Sequence, residues 1–108
     1  MSRVICKLSD ITPNTGVCAL VEDEQVAIFR VEDKVYALSN LDPFSKAMVL
    51  SRGLIGSKGG VLKVSSPLYK QSFALEDGRC LDDETVSLPT WAVSVSDSGE
   101  ILLGDKLN

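Results

Sequence analysis

The sequence contains no histidine among its 108 residues. Histidine is the usual general base near neutral pH and the commonest protein ligand for transition metals. Its absence therefore counts against an acid–base enzyme and against most metal centres. The three cysteines, Cys6, Cys18 and Cys80, are an odd number and show no Cys-x-x-Cys spacing. This pattern favours reduced thiols over disulfides or a zinc site, and we interpret them as small buried apolar groups.

Long hydrophobic runs are also missing. The longest uninterrupted apolar run, Val17 to Val21, is far shorter than the about 20 residues of a membrane span. The stretch flanked by Arg3 and Lys7 is too short for the apolar part of a signal peptide. We therefore expect no export and no membrane anchoring, and a cytoplasmic location.

Acidic residues are absent from one third of the chain. The whole sequence carries a net charge of −4 and has a pI near 4.7, which disfavours a nucleic-acid partner because phosphate binding needs a basic surface. From Pro43 to Leu75, however, there are five basic and no acidic residues, so the remainder of the chain carries −9. The sequence predicts a molecule with a strong charge dipole. The five basic residues are Lys46, Arg52, Lys58, Lys63 and Lys70.

Short β-type runs separated by turn residues predict an all-β fold in a single domain spanning residues 1–108. Two further features concern the middle of the chain. Asp42 to Leu50 could form one or two helical turns, with Asp42 as N-cap and Pro43 at the first helical position. Gly53, Gly56, Gly59 and Gly60 predict a pliable loop without a phosphate-binding signature, and we find no internal repeats. The expected strands are Val4–Leu8, Val17–Val21, Gln25–Arg30, Val35–Leu38, Val61–Val64, Gln71–Leu75, Ala92–Val95 and Ile101–Leu103.

Several of these segments resemble a Rieske domain in order and spacing. A Rieske protein would show Cys-Pro-His and Cys-Pro-Leu-His where this chain has Asp42-Pro43-Phe44 and Ser66-Pro67-Leu68-Tyr69. The resemblance implies an antiparallel β sandwich with an inserted loop lobe at about residues 40–75 and at most one short helix. The matching segments are Val35–Asn40, Asp42–Phe44, Leu50–Gly53, Ser66–Tyr69, Phe73–Leu75 and Asp77–Leu81.

By the same resemblance, the four positions that would hold a [2Fe–2S] cluster correspond to Asp42, Phe44, Ser66 and Tyr69. Such a cluster needs two thiolates and two imidazoles. Neither phenyl nor phenol replaces an imidazole, and the oxygens of Asp or Ser are poor substitutes for thiolate. We therefore expect no metal, no cofactor and no catalytic residue on this chain.

Within that superfamily the sequence is most similar to the small subunits of bacterial NADH-dependent nitrite reductases. This resemblance implies an accessory subunit of a cytoplasmic enzyme that reduces nitrite to ammonium in nitrate assimilation. It also implies a large-subunit partner that carries FAD, a [4Fe–4S] cluster and siroheme. The blocks that carry the similarity are Gly16–Leu20, Glu24–Arg30 and Ser39–Phe44.

Loss of a cluster would remove the link between the two loops, and Phe44 packed on Tyr69 could replace it by aromatic contact. The alternative is that either ring simply faces the core. The cationic lobe and the loop tips could form a docking surface, or the basic residues could be an ordinary solvated surface. The candidate partner-binding residues are Phe44, Lys46, Arg52, Pro67, Leu68, Tyr69 and Lys70.

Two other functions stay open at the level of sequence. The chain could be a small enzyme by itself, but Ser66 has no evident base beside it, and an unactivated serine is inert. It could also be a binding or regulatory module of another redox complex that shares the cluster-less Rieske fold. A neighbouring gene with siroheme and flavin motifs would favour nitrite reductase.

Overall fold

A computed structural model describes residues 3–68 and 70–107 and contains three antiparallel sheets. The largest has six strands in the order β1-β11-β10-β4-β3-β2, the second has three in the order β7-β8-β9, and β5 pairs with β6. The strands are β1 Arg3–Lys7, β2 Thr15–Val21, β3 Glu24–Val31, β4 Lys34–Ser39, β5 Leu41–Asp42, β6 Ala47–Met48, β7 Leu54–Lys58, β8 Val61–Ser65, β9 Ser72–Ala74, β10 Thr90–Val95 and β11 Glu100–Lys106.

No α-helix occurs in the described residues, whose only helical segments are two 3₁₀ turns at Leu8–Asp10 and Leu50–Arg52. None of them is long and apolar enough to cross a membrane. The expectation of an antiparallel all-β architecture with at most one short helix is confirmed.

Strand β3 lies near the centre of the fold and is buried on both faces. Ala27 and Phe29 contribute to a first hydrophobic cluster, whereas Val26 and Ile28 contribute to a second, and all four are fully buried. A strand covered on both sides needs apolar residues at successive positions, which explains the run Val26 to Phe29. The expected strands Gln25–Arg30 and Val35–Leu38 are confirmed, and they pair as the hairpin of β3 with β4, with register Val26↔Ser39 through Val31↔Lys34.

The two clusters give the molecule two cores. The first cluster joins the six-stranded sheet to the three-stranded sheet, through Phe29 of β3, Val64 of β8 and Phe73 of β9. The second draws on all six strands of the large sheet, which therefore curls around it. Side chains of the second cluster come from Ile5, Val17, Val26, Ile28, Ala37, Trp91, Ile101 and Leu103.

The helix expected from Asp42 to Leu50 is wrong, because this segment forms the β5–β6 hairpin. The Asp42 carboxylate does accept a hydrogen bond from the Phe44 N–H at 2.9 Å, as an N-cap would. The turn closes once, through Lys46 N–H to Asp42 O at 2.8 Å. Lys46 then adopts a left-handed conformation with φ of 63°, which a right-handed helix cannot continue.

The glycine-rich segment is a hairpin and not a loop. Sequence reasoning missed β7, which pairs with β8 from Leu54↔Ser65 to Lys58↔Val61. The connecting turn lies at Gly59 and Gly60, whose φ values of 58° and 83° suit glycine.

The cysteines are all free, but only one fits our interpretation of them as buried groups. Cys80 is buried in the first cluster, Cys6 is half-buried, and Cys18 is exposed. The thiol of Cys18 lies 3.5 Å from Oε1 of Gln25, so it makes a polar contact and is not packed in the core.

Close packing at Gly53 gives a test of how β7 is anchored. A Cβ at this residue would lie 2.4 Å from the carbonyl oxygen of Ser65 and 2.7 Å from Cγ2 of Val64. We expect Gly53→Ala to lower the free energy of unfolding by about 1–3 kcal/mol through overpacking, measured by urea denaturation at pH 7.

Gly56→Ala, within β7, is the control, because its nearest neighbour would be Cε of Lys63 at 4.0 Å. An alanine in open strand space is expected to be neutral or to stabilise by up to about 1 kcal/mol. Equal losses in the two variants would contradict the packing described for Gly53.

Candidate functional site

Two loops at residues 42–46 and 66–70 follow the same local plan. The first loop, Asp42-Pro43-Phe44-Ser45-Lys46, connects β5 to β6, and the second, Ser66-Pro67-Leu68-Tyr69-Lys70, connects β8 to β9. Each begins with a polar residue followed by proline and a large apolar residue, and each ends in lysine. Tyr69 lies outside the described residues.

The hydrogen bonds of the two loops also correspond. In the first, Asp42 Oδ1 accepts from Phe44 N–H at 2.9 Å and Lys46 N–H donates to Asp42 O at 2.8 Å. In the second, Ser66 Oγ accepts from Leu68 N–H at 3.3 Å and Lys70 N–H donates to Ser66 O at 3.1 Å. The polar residue at the start therefore organises each turn. Our expectation of no internal repeats missed this five-residue pattern, which aligning the two X-Pro segments would have revealed.

The loops are joined to each other by their first residues. The hydroxyl of Ser66 donates a hydrogen bond to Oδ2 of Asp42, across 24 positions of sequence. Both residues are buried, with exposed fractions of 0% for Asp42 and 1% for Ser66. A hydrogen bond to a buried carboxylate is stronger than one between neutral groups. This bond is therefore the main polar link between the loop tips.

The surroundings of Asp42 favour its ionised form. Burial by itself would raise the pKa of this carboxyl. Hydrogen bonds from the Ser66 hydroxyl, the Phe44 N–H and Ser45 outweigh burial and hold the pKa of Asp42 below its usual value. Asp42 is consequently a charged structural acceptor at neutral pH and a poor general base.

This result also bears on Ser66 as a nucleophile. The sequence showed no base beside it, yet the fold brings the Asp42 carboxylate within hydrogen-bonding distance. The pair is buried, however, and the lowered pKa of Asp42 reduces its ability to accept the serine proton. The arrangement stabilises the loops and does not activate a hydroxyl for attack.

Asn40 anchors the first loop to the large sheet. It is 2% exposed, and its Nδ2 donates to Oε1 of Gln25 at 3.0 Å. Its Oδ1 accepts from the Ser51 N–H at 2.7 Å, and its carbonyl oxygen accepts from the Leu50 N–H at 3.1 Å. Asn40 therefore ties β3, the 3₁₀ turn and the first loop together, a role that sequence reasoning did not assign.

The ring of Phe44 packs toward the core and contacts Phe73. The two ring centroids are 6.2 Å apart with an interplanar angle of 41°, and Phe44 is half-buried against the first cluster. This contact supports the alternative in which Phe44 faces the core. Packing of Phe44 on Tyr69 stays a prediction, because Tyr69 lies outside the described residues.

The remaining partner-binding candidates that the structure describes are exposed. Lys46 lies on the first loop, and Pro67, Leu68 and Lys70 lie on the second. Arg52 ends the 3₁₀ turn that connects β6 to β7. Two exposed apolar residues of the lobe were missed by sequence reasoning, Met48 and Leu54, which are 48% and 78% exposed. Outward placement of Leu54 follows from its alternation with the inward-facing Ile55 in β7.

The lobe is also electrostatically one-sided. Among the described residues, the basic partners in ion pairs are Arg3, Arg30, Arg79 and Lys106, all outside the lobe. Among the described residues of the lobe, Lys63 is the one cation that bonds to other side chains. It donates to the hydroxyls of Ser65 at 3.2 Å and Ser72 at 3.1 Å. The other four basic residues of the lobe therefore remain available to an external acidic group.

The residues at the loop tips do not fit an iron–sulfur cluster. Asp42 and Ser66, which the Rieske resemblance predicts at two of the four ligand positions, bond to each other, and the Phe44 ring offers no donor atom. Within the described part of the chain, no group of three or more His, Cys, Asp or Glu residues could hold a metal ion. The donor chemistry of these residues does not suit a [2Fe–2S] cluster, which needs two thiolates and two imidazoles.

Removing one partner of the buried pair tests its contribution. We expect Ser66→Ala to lower the free energy of unfolding by about 1.5–3 kcal/mol, because the buried carboxylate loses a charge-assisted bond. Ser57→Ala, at an exposed position of β7, should change it by less than about 0.5 kcal/mol. Urea denaturation of both variants at pH 7 measures the difference, and equal effects would contradict the pairing.

The pH dependence of Asp42 gives a second test. In the unfolded chain an aspartate has a pKa of about 3.9. The pKa of Asp42 in the folded chain is lower than that value. The ionised carboxylate therefore stabilises the fold above that pH, and the stabilisation is lost as the pH falls through the folded-state pKa. We expect Asp42→Asn to lower the free energy of unfolding at pH 7. The difference in that free energy between the variant and wild type should shrink below about pH 4. A constant gap from pH 7 to pH 3 would contradict this role.

Comparison with known proteins identifies the family. Residues 3–103 match the family model of the Rieske-like [2Fe-2S] domain. The chain is 56% identical over 95 residues to the nitrite reductase (NADH) small subunit of Escherichia coli K12, covering 86% of this chain and 88% of that protein. It is also 44% identical over 104 residues to a nitrite reductase [NAD(P)H] large subunit of Klebsiella oxytoca, covering 96% of this chain and 11% of that protein.

A solved structure agrees with this assignment. The nitrite reductase [NAD(P)H] small subunit of Erwinia carotovora superposes with a TM-score of 0.82 at 45% identity, covering 99% of this chain and 83% of that one. High identity, near-complete coverage and a shared fold together show that the chain belongs to the small-subunit family of NADH-dependent nitrite reductases, within the Rieske-like domains.

Proposed function

We propose that this chain is the accessory small subunit of a cytoplasmic NADH-dependent nitrite reductase, that it binds no cluster, and that it docks on the large subunit through its loop lobe. The observation that carries the proposal is the buried bond between Asp42 and Ser66. It holds two loops in a Rieske-like arrangement with side chains that do not suit iron. A scaffold built to present its loops without a redox centre is suited to recognition.

Family membership supports the choice of partner. The Klebsiella oxytoca large subunit contains a segment that matches 96% of this chain within a much longer protein. Covalent linkage of two modules raises their effective concentration, and fusion is a natural arrangement for domains that work together. In the present chain the same association would occur between separate subunits.

The large subunit would supply all of the redox chemistry. Similarity to the family suggests that it carries FAD, a [4Fe–4S] cluster and siroheme, and that it reduces nitrite to ammonium for nitrate assimilation. The small chain would contribute contacts and not electrons. An isolated chain is therefore expected to be colourless and inactive.

The exposed residues of the lobe have the chemistry of a docking surface. Apolar side chains at Met48, Leu54 and Leu68 are 48%, 78% and 52% exposed. Exposed apolar groups surrounded by charge mark interaction sites more often than ordinary surface. Lys46, Arg52 and Lys70 supply the surrounding charge, which would speed and orient the encounter with an acidic partner.

The proposal is tested by reconstitution. The purified chain and its cognate large subunit should co-elute in size-exclusion chromatography. NADH-driven nitrite reduction should depend on the presence of the small chain in the assay or during assembly. Separate elution together with full activity of the large subunit alone would contradict the proposed function.

A variant at the second loop tests the docking surface. Leu68→Asp should weaken the complex by about tenfold or more, because burying a carboxylate in an apolar contact is costly. Leu20→Asp is the matched control, since Leu20 is 72% exposed but lies in β2, outside the lobe. Titration by biolayer interferometry, with thermal denaturation to confirm folding, measures both. Equal affinities of the two variants would show that the lobe is not the docking surface.

A further inference from the structure

Lys46 and Lys70 occupy equivalent positions at the ends of the two loops. Both have a φ of 63°, and each closes its turn by donating its N–H to the residue four positions earlier. These are the only non-glycine residues of the described part of the lobe with a positive φ. The loops therefore end in a matched pair of exposed lysines.

Lysine is not the residue that this backbone conformation favours. A side chain in the left-handed region costs about 1 kcal/mol or more, whereas glycine adopts it freely. Strained conformations of this kind are typical of functional positions. Both loops carry lysine where glycine would relieve the strain, so their ammonium groups are candidates for a role outside the fold.

Within the described residues, neither ammonium group has an ion-pair partner. The described ion pairs all involve basic residues outside the lobe. The acidic residues nearest in sequence are Asp42 for Lys46 and Glu76 for Lys70, and the Asp42 carboxylate is buried and accepts from Ser66 and Phe44. Both lysines thus remain available to a partner, on a segment that carries five basic and no acidic residues.

The spacing of the two lysines is set by the structure. The Asp42–Ser66 bond joins the first residues of the loops, and Lys46 and Lys70 are each bonded to one of those residues through the backbone. A surface whose groups are already held in place loses less entropy on binding. The twin loops therefore hold the backbones of the two lysines in a fixed relation.

We propose that Lys46 and Lys70 form a two-point clamp for a pair of carboxylates on the large subunit, with Pro67 and Leu68 making the adjoining apolar contact. This inference rests on the proposed function and names the chemistry of the partner surface, an acidic patch on a protein. Complementary charge at such a rim acts mainly on the association rate and on orientation.

The test compares wild type with the Lys46→Glu/Lys70→Glu double variant in binding to the cognate large subunit. We expect the double variant to bind about tenfold more weakly at 50 mM salt, mostly through a slower association rate. The deficit should shrink at 0.5 M salt, because exposed charges are then screened. Lys58→Glu is the matched control, since it reverses a charge in the same segment at the far end of the β7–β8 hairpin from the second loop.

A second variant separates contact from architecture. Lys46→Gly/Lys70→Gly removes both charges while relieving the backbone strain, so its melting temperature should be unchanged or higher. Its affinity should nevertheless fall by several-fold. Glu32→Gly, at a left-handed position with φ of 56° outside the lobe, should leave the affinity unchanged.

The outcomes distinguish this inference from the proposed function. Wild-type affinity in both double variants would overturn the clamp and leave docking on the large subunit intact. Absence of any binding by the wild-type chain would overturn both. Binding of the wild-type chain to anionic lipid vesicles or to DNA, but not to the large subunit, would assign the lysines to a different partner and would also overturn the inference.

Discussion

The hydrogen bond between Asp42 and Ser66 is the interaction on which the shape of the loop lobe depends. It links two loops whose first residues lie 24 positions apart in sequence. The bond is strong because burial keeps water from competing for the carboxylate, which also accepts hydrogen bonds from backbone N–H groups. The lowered pKa of Asp42 keeps the link charged at physiological pH.

Asn40 and the first hydrophobic cluster hold in place the loops that carry this hydrogen bond. Asn40 ties the first loop to β3 and to the 3₁₀ turn, and the first hydrophobic cluster connects the large sheet to β8 and β9 through Phe29, Val64 and Phe73. Phe44 belongs to this support and not to the exposed tip, since its ring packs near Phe73. The exposed side chains of the lobe include lysines, one arginine and a few apolar residues.

The chain therefore has the fold of a redox family, whereas the residues of its two loops are neither thiolates nor imidazoles. The body preserves the Rieske-like architecture, and the site positions carry residues that stabilise the loops. Charge then separates the lobe from the body, with five basic residues on one segment and a net −9 on the remainder.

Much of the fold was predictable because its signals are local. The two β-type runs Gln25–Arg30 and Val35–Leu38 and the polar turn between them predict the β3–β4 hairpin, and the residue types at 42, 44, 66 and 69 predict that the chain holds no cluster. The helix at Asp42–Leu50 was predicted wrongly because a cap and a proline specify how a turn starts, whereas the left-handed Lys46 decides that it stops.

Strand β7 was missed because its glycines suggest a loop until β8 is placed beside it, when Gly53 proves to be required by close packing. By itself, the sequence determined the chemical nature of each loop and the distribution of charge, since these depend only on residue identity. The pairing of Asp42 with Ser66 and the burial of Phe44 were decided by tertiary structure alone, because the packing of the sheets brings these distant residues together.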